Sequence, residues 1–106
     1  MLIATTENIS GMTITETLGM VRGSIVWAKH IGKDIVAGLR FLVGGEIVEY
    51  TVMLQEAREK SLQRMVAEAK ALGADAVIGM RFLTAPIMNN ASECICYGTA
   101  VKVAQI

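Results

Sequence analysis

The stretch GGEIVEYTVMLQEAREKSLQRMVAEAKALGADAV, residues 44–77, decides the fold. Within it Ile47, Tyr50, Leu54, Ala57, Ser61, Met65, Ala69 and Leu72 recur at steps of three or four, which on an α-helix places them on one face. Glu56, Glu59, Gln63 and Lys70 fall on the opposite, wet side. Gly44-Gly45 ahead of the run allows a sharp change of direction, Glu46 stands where a carboxylate complements the helix dipole, and Gly73 occupies the expected C-terminal stop. Asp75 to Leu83 then reads as a strand apolar on both faces, with Ala76, Ile78, Met80 and Phe82 on one side and Val77 and Leu83 flanking Gly79 and Arg81 on the other. A single long helix can cover only one of those faces.

Working outward, Leu2 to Thr5 reads as a short strand stopped by Glu7-Asn8 and Ser10-Gly11. Met12 to Val26 alternates imperfectly around Gly19 and Gly23, which predicts one long bent strand or two short ones. From Asp34 to Val43, the spacing of Ile35, Leu39 and Leu42 predicts a short helix with Gly38 as its weak point, ended by Gly44-Gly45. Pro86 to Ala91 makes a connection, and Glu93 to Val103 is the last strand, paired antiparallel with the one before it. The expected class is α+β, an antiparallel sheet packed on one long helix plus a short helix, in a single domain over residues 1–106.

Composition narrows the partners. Hydrophobic residues make up 53% of the chain before its ten glycines are counted, against a usual apolar share of about 45–50% that already includes glycine. Self-association in a closed cyclic arrangement is the expected outlet for that excess. Ten basic and ten acidic side chains cancel, and no Lys/Arg stripe exists to neutralise phosphates, which argues against nucleic acid. No apolar run reaches the roughly 18 residues of a membrane span, and the start, Met1 to Glu7, does not read as a signal peptide. A cytoplasmic protein follows, in which two cysteines stay reduced unless they hold a metal or do redox chemistry.

Cys94-Ile95-Cys96 is the sharpest chemical candidate. Residues two apart on a strand share a face, so both sulfurs can grip one soft ion, monovalent copper or divalent zinc. A complete tetrahedral site needs four ligands and only one pair is present, so burial of both thiols in the core is the favoured reading and metal the second. His30, the only histidine, lies near an expected element boundary and could add a third ligand, but with no second histidine and no carboxylate at ligand spacing a partly exposed loop histidine is the favoured reading. Arg58 and Glu68 lie on or beside the apolar face of the long helix, ten residues apart, and each calls for a partner to offset desolvation. Methionines 12, 53, 65, 80 and 88 are scattered over different elements and read as packing. No nucleophile–base–acid grouping assembles, so the chain is not expected to be an enzyme; Glu46, Tyr50 and Arg58 are the polar groups to inspect for a site or an interface.

Several blocks carry a family resemblance: Gly38-Leu39-Arg40, Gly44-Gly45-Glu46, Tyr50-Thr51, Ala57-Arg58, Leu72-Gly73-Ala74, Ala76-Val77 and the closing Tyr97-Gly98-Thr99-Ala100-Val101. Over nearly its whole length the chain resembles the YbjQ-like proteins, small bacterial proteins named for heavy-metal binding and of unestablished function. The resemblance implies a dodecin-like two-layer subunit and a homopentameric ring, with a soft metal as the conceivable cofactor. Family members more often carry asparagine at the position of Asp75, and small or aliphatic residues where Cys94 and Cys96 stand.

Overall fold

The computed structural model describes residues 1–28, 42–43, 46–89 and 91–106, and of residues 28, 42–43 and 46–50 the backbone alone. In chain order the described elements are β1 (Leu2–Ile3), β2 (Met12–Ala28), β3 (Leu42–Val43), β4 (Glu46–Ile47), α1 (Val48–Ala71), β5 (Ala76–Met88) and β6 (Ala91–Gln105). The main sheet has four strands in the order β1-β5-β6-β2. β2 and β5 flank β6 antiparallel, whereas β1 runs parallel to β5 with Leu2 opposite Ala76 and Ile3 opposite Val77. The class is α+β, but the sheet is mixed rather than antiparallel throughout. Two residues of parallel pairing suffice for this: β1, Leu2 and Ile3, lies along the outer edge of β5, from which a long stretch of sequence separates it.

The long helix starts one residue after the expected face begins. Ile47 and Glu46 form β4, paired antiparallel with Leu42 and Val43, so Glu46 precedes the helix in a strand and does not occupy its first turn. Leu42 and Val43, expected at the end of a short helix, are strand; residues 34–41, Gly44 and Gly45 lie outside the described residues. At the other end the stop is as expected. Gly73 takes φ +79°, its N–H bonds the Lys70 carbonyl at 3.0 Å, and the Ala74 N–H bonds the Ala69 carbonyl at 3.1 Å. That pair of bonds satisfies carbonyls the last turn leaves open, in a left-handed conformation that a glycine adopts at little cost. Leu72, counted with the buried face, lies past the helix end and is exposed.

Ala57, Ser61, Met65 and Ala69 form the buried stripe of α1, and Glu56, Glu59, Gln63 and Lys70 are exposed as expected. The stripe lies over Val21 of β2, Val77 of β5, and Cys96 and Ala100 of β6, which together make the core. Gly23 lets the helix approach. A Cβ there would land on the backbone of Ser61 and Met65, so Gly23 is a contact point for the helix and not a bend in β2. The bends lie instead between Ile14 and Glu16 and between Thr17 and Gly19, where Gly19 has φ +123°. β2 is thus one continuous strand of 17 residues with irregularities near its start.

β5 carries a bulge that changes which residues share a face. Ile78 pairs with Thr99 and Arg81 with Tyr97, leaving Gly79 and Met80 against Gly98, with Gly79 at φ +60°. The N-terminal segment covers the bulge: Gly79 N–H bonds the Thr6 carbonyl at 2.9 Å and Met80 N–H the Ala4 carbonyl at 3.0 Å. As a result Val77 and Phe82 face the helix side, whereas Ile78, Arg81 and Leu83 share the opposite face, a correction to the simple alternation expected for Asp75 to Leu83. β5 also runs on through Pro86 to Met88. A proline is tolerated there because the N-terminal segment bonds β5 only as far as Met80, so at Pro86 no described strand pairs with the outer side of β5.

Asp75 ties this hairpin to the end of β6, its Oδ2 accepting from the Val103 N–H at 3.0 Å. Asparagine offers a carbonyl oxygen at the same place. Replacement Asp75→Asn is therefore expected to leave the unfolding midpoint nearly unchanged, while Asp75→Ala costs about 1 kcal/mol, measurable by urea titration. Equal losses in both variants would show that charge, not the acceptor, matters at this position.

Candidate functional site

Strand β6 turns Cys94, Cys96, Gly98 and Ala100 toward the helix, and their cross-strand neighbours Ile25, Gly23, Val21 and Gly19 follow on β2. Both cysteines are free and buried. The Cys96 thiol donates to the Met65 sulfur at 3.5 Å, and Cys94 Sγ lies 3.7 Å from Ser61 Oγ. Ser61 has one hydroxyl proton and donates it to the Arg58 carbonyl at 2.8 Å, which leaves Cys94 as the donor to Ser61. In both sulfur contacts of this cluster the thiol is the donor. Burial, and secondarily the neighbouring Cys94, pushes the Cys96 thiol up to about 11.

A pH dependence follows from that shift. Below about 9, the ordinary value, Cys96 is protonated in folded and unfolded chains alike and its contribution is constant. Between 9 and 11 the unfolded chain releases the proton and the folded chain keeps it, so folding stability falls as pH rises through that window. Urea unfolding from pH 7 to 11 is expected to show a steeper alkaline loss in the wild type than in Cys96→Ala. Parallel curves would mean that Cys96 ionises as easily folded as unfolded.

The remaining candidates fall elsewhere. His30 lies outside the described residues; Glu46 is in β4 and Tyr50 in the first turn of α1, with their side chains outside what is described. Arg58 and Glu68 are both exposed, so neither is a desolvated charge and the expected demand for partners lapses. Met65 is fully buried, whereas Met88 is 69% exposed and is not a core residue. Among the described residues no three His, Cys, Asp or Glu side chains converge as metal ligands. No described helix is long and apolar enough to cross a membrane.

Two surface features were missed by the sequence reading. A groove of about 330 Å³ runs along the outer flank of α1, with Ile3, Leu62, Val66 and Ala67 as its apolar lining and Glu59, Gln63 and Lys70 at its margin. On the far side of the sheet, Tyr97 pairs with Arg22 on β2 and with Arg81 on β5, so the three side chains form one row across the strands. Met20, Val26 and Leu83 stand on the same face at 65%, 55% and 52% exposure. The clue for the row was Tyr97, placed in β6 between two helix-facing residues, but its neighbours depend on a register that only the paired strands define.

Comparison with known proteins places the chain. Residues 1–104 match a family described as "Putative heavy-metal-binding", YbjQ. A UPF0145 protein of Methanosarcina acetivorans is 58% identical over 103 residues, 97% of each chain, and one of Dehalococcoides mccartyi is 56% identical over 97% of this chain and 99% of that one. A UPF0145 protein of Thermus thermophilus shares 53% over 96% and 90%. Among solved structures, a DUF74-family protein of unknown function from Pediococcus pentosaceus has a similar fold, with a TM-score of 0.70 at 19% identity and 98% coverage of both chains. With its helix-on-sheet core and its full-length matches, the chain belongs to the YbjQ (UPF0145) family.

Proposed function

We propose that this protein is a subunit of a ring-forming binding or scaffold assembly of the cytoplasm, a homopentamer, and not an enzyme. The observation that carries this reading is the set of large apolar side chains exposed on the sheet face opposite α1. α1 packs on one side of the sheet, while Met20, Val26 and Leu83 remain half or more exposed on the other. The dimensions agree: the extents are 54 × 28 × 16 Å and the radius of gyration is 17.3 Å, against about 13 Å for a compact domain of similar length. A subunit this thin gains by covering those exposed apolar side chains with another copy, and a closed ring meets the need in every subunit. The number five rests on the family resemblance. Multi-angle light scattering of the wild type at micromolar concentration is expected to give five times the chain mass, and a monomer would overturn the reading.

A second reading is soft-metal capture at Cys94 and Cys96. It is favoured by the Met65 sulfur at 3.5 Å from Cys96, which adds a thioether to two thiols on one face. Three soft donors suit a monovalent soft ion better than tetrahedral zinc. The closed, protonated state of the cluster opposes it. Titrating Cu(I) and Zn(II) into wild type and a Cys94→Ser/Cys96→Ser variant decides: equal affinities eliminate this site.

A further inference from the structure

We infer that the sheet face opposite α1 docks, through the Arg22–Tyr97–Arg81 row, into the groove along α1 of a second copy of this chain. The inference rests on the self-assembly reading and names its interface. Three observations point to that occupant.

The first is the shape of the two surfaces. Tyr97 lies in the middle strand of its row with Leu83 and Met20 on the same face beside it, a ridge of apolar and aromatic groups. The groove is concave and apolar, lined by Ile3, Leu62 and Val66, and about 330 Å³ leaves room for an aromatic ring and an aliphatic neighbour. A buried aromatic anchor in a pocket, flanked by arginines, is the composition on which interface energy concentrates.

Charge supplies the second. Arg22 and Arg81 flank Tyr97 and make no ion pair among the described residues, while Arg81 uses one nitrogen on the Thr5 and Met80 carbonyls at 2.8 Å. Glu93 lies on the same face, four residues along β6 from Tyr97, or about 13 Å. The groove presents the complement: Glu59 at one end and Lys70 eleven residues on, about 16 Å along the helix. Seating the guanidiniums against Glu59 brings Lys70 within reach of Glu93, whereas the reversed orientation sets like charges together.

The third is topology. The ridge and the groove are different surfaces of one chain, so their contact is head-to-tail and leaves a free ridge and a free groove at the two ends of any open string. A ring uses both in every copy. A face-to-face pairing of two sheets would bury the ridge in a dimer and leave the groove out.

The experiment uses full-length variants at exposed positions, each checked for wild-type circular dichroism. Ridge variant Tyr97→Glu and groove variant Ala67→Arg are each expected to weaken assembly at least about thirtyfold, the effect of losing one hot-spot contact, and to run as monomers. Mixed in equal amounts, they retain one intact ridge and one intact groove, and native mass spectrometry is expected to show one-to-one pairs that do not close. Arg22→Glu and Glu59→Arg are each expected to weaken assembly, and both together in one chain to restore it. If Ala67→Arg assembles as the wild type does, or the mixture gives no pairs, the docking mode is wrong while assembly stands. A monomeric wild type would instead remove the self-assembly reading itself.

Discussion

Gly23→Ala is expected to destabilise the folded subunit by about 3 kcal/mol or more, at the upper end of what overpacking a core costs. The reason is the identity of the obstacle. A Cβ at position 23 meets the carbonyl of Ser61, the N–H of Met65 and, at 2.7 Å, the Cβ of Arg64. These atoms belong to a helix held at its other contacts by Met65 and Ala69 in the core, so none can turn aside as a flexible side chain would. The helix must lift off the sheet, and the Cys96–Met65 and Cys94–Ser61 contacts lengthen with it. Gly98 is the informative comparison. A Cβ there meets Val77 Cγ1 at 2.6 Å, a rotatable group, as well as the Ile78 carbonyl at 3.0 Å, so part of the clash can be relieved. Differential scanning calorimetry at fixed concentration is expected to place Gly23→Ala roughly 12 °C below the wild type and Gly98→Ala between the two. A Gly23→Ala midpoint within a degree or two of wild type would mean that the helix does not rest on β2 as described.

The glycine shows how far the sequence was legible. The long helix and its Gly73 stop were legible because both follow from local rules: apolar spacing sets the face, and a positive φ sets the end. Gly23 was read as a bend, since glycine within a strand signals either a bulge or a close approach and nothing local separates the two. The same ambiguity hid the bulge at Gly79, and with it the true face of Arg81. The parallel seat of β1 and the strand character of Pro86 depend on which edge of β5 is vacant, a property of the assembled sheet.

The candidate site divides in the same way. That Cys94 and Cys96 share a face followed from a spacing of two, and their burial fits the core reading of free cysteine. Their hydrogen-bond partners, Ser61 and Met65, lie 33 and 31 residues away and came into view only with the helix docked. Met65 and Ser61 stood in the predicted apolar stripe, yet a stripe says that residues are buried and not what they touch. The Arg22–Tyr97–Arg81 row spans three strands whose register includes two irregularities in β2 and one in β5 before that point, which no alternation rule anticipates.

Met65→Ala is expected to cost about 3 kcal/mol, and its effect reaches beyond the cavity it leaves. Met65 is fully buried at the centre of the core, among Val21, Ala69, Val77, Cys96 and Ala100. Several of these neighbours are small, and the backbone contact at Gly23 holds the helix at a fixed height, so the space cannot close by a simple collapse. Truncation also takes away the acceptor of the Cys96 thiol, which then remains buried with its proton unpaired. Met65→Leu separates the two losses. Leucine nearly conserves the volume, which limits the packing cost to less than about 1.5 kcal/mol, but it offers no acceptor, so whatever it loses bounds the worth of the sulfur–sulfur contact. Urea unfolding is expected to rank wild type above Met65→Leu, and Met65→Leu well above Met65→Ala, with the slope unchanged across all three. Should leucine prove as damaging as alanine, the sulfur contact and not the filled volume would be what Met65 contributes, and the protonated, closed state of the cluster, which opposes metal capture, would be the more firmly held.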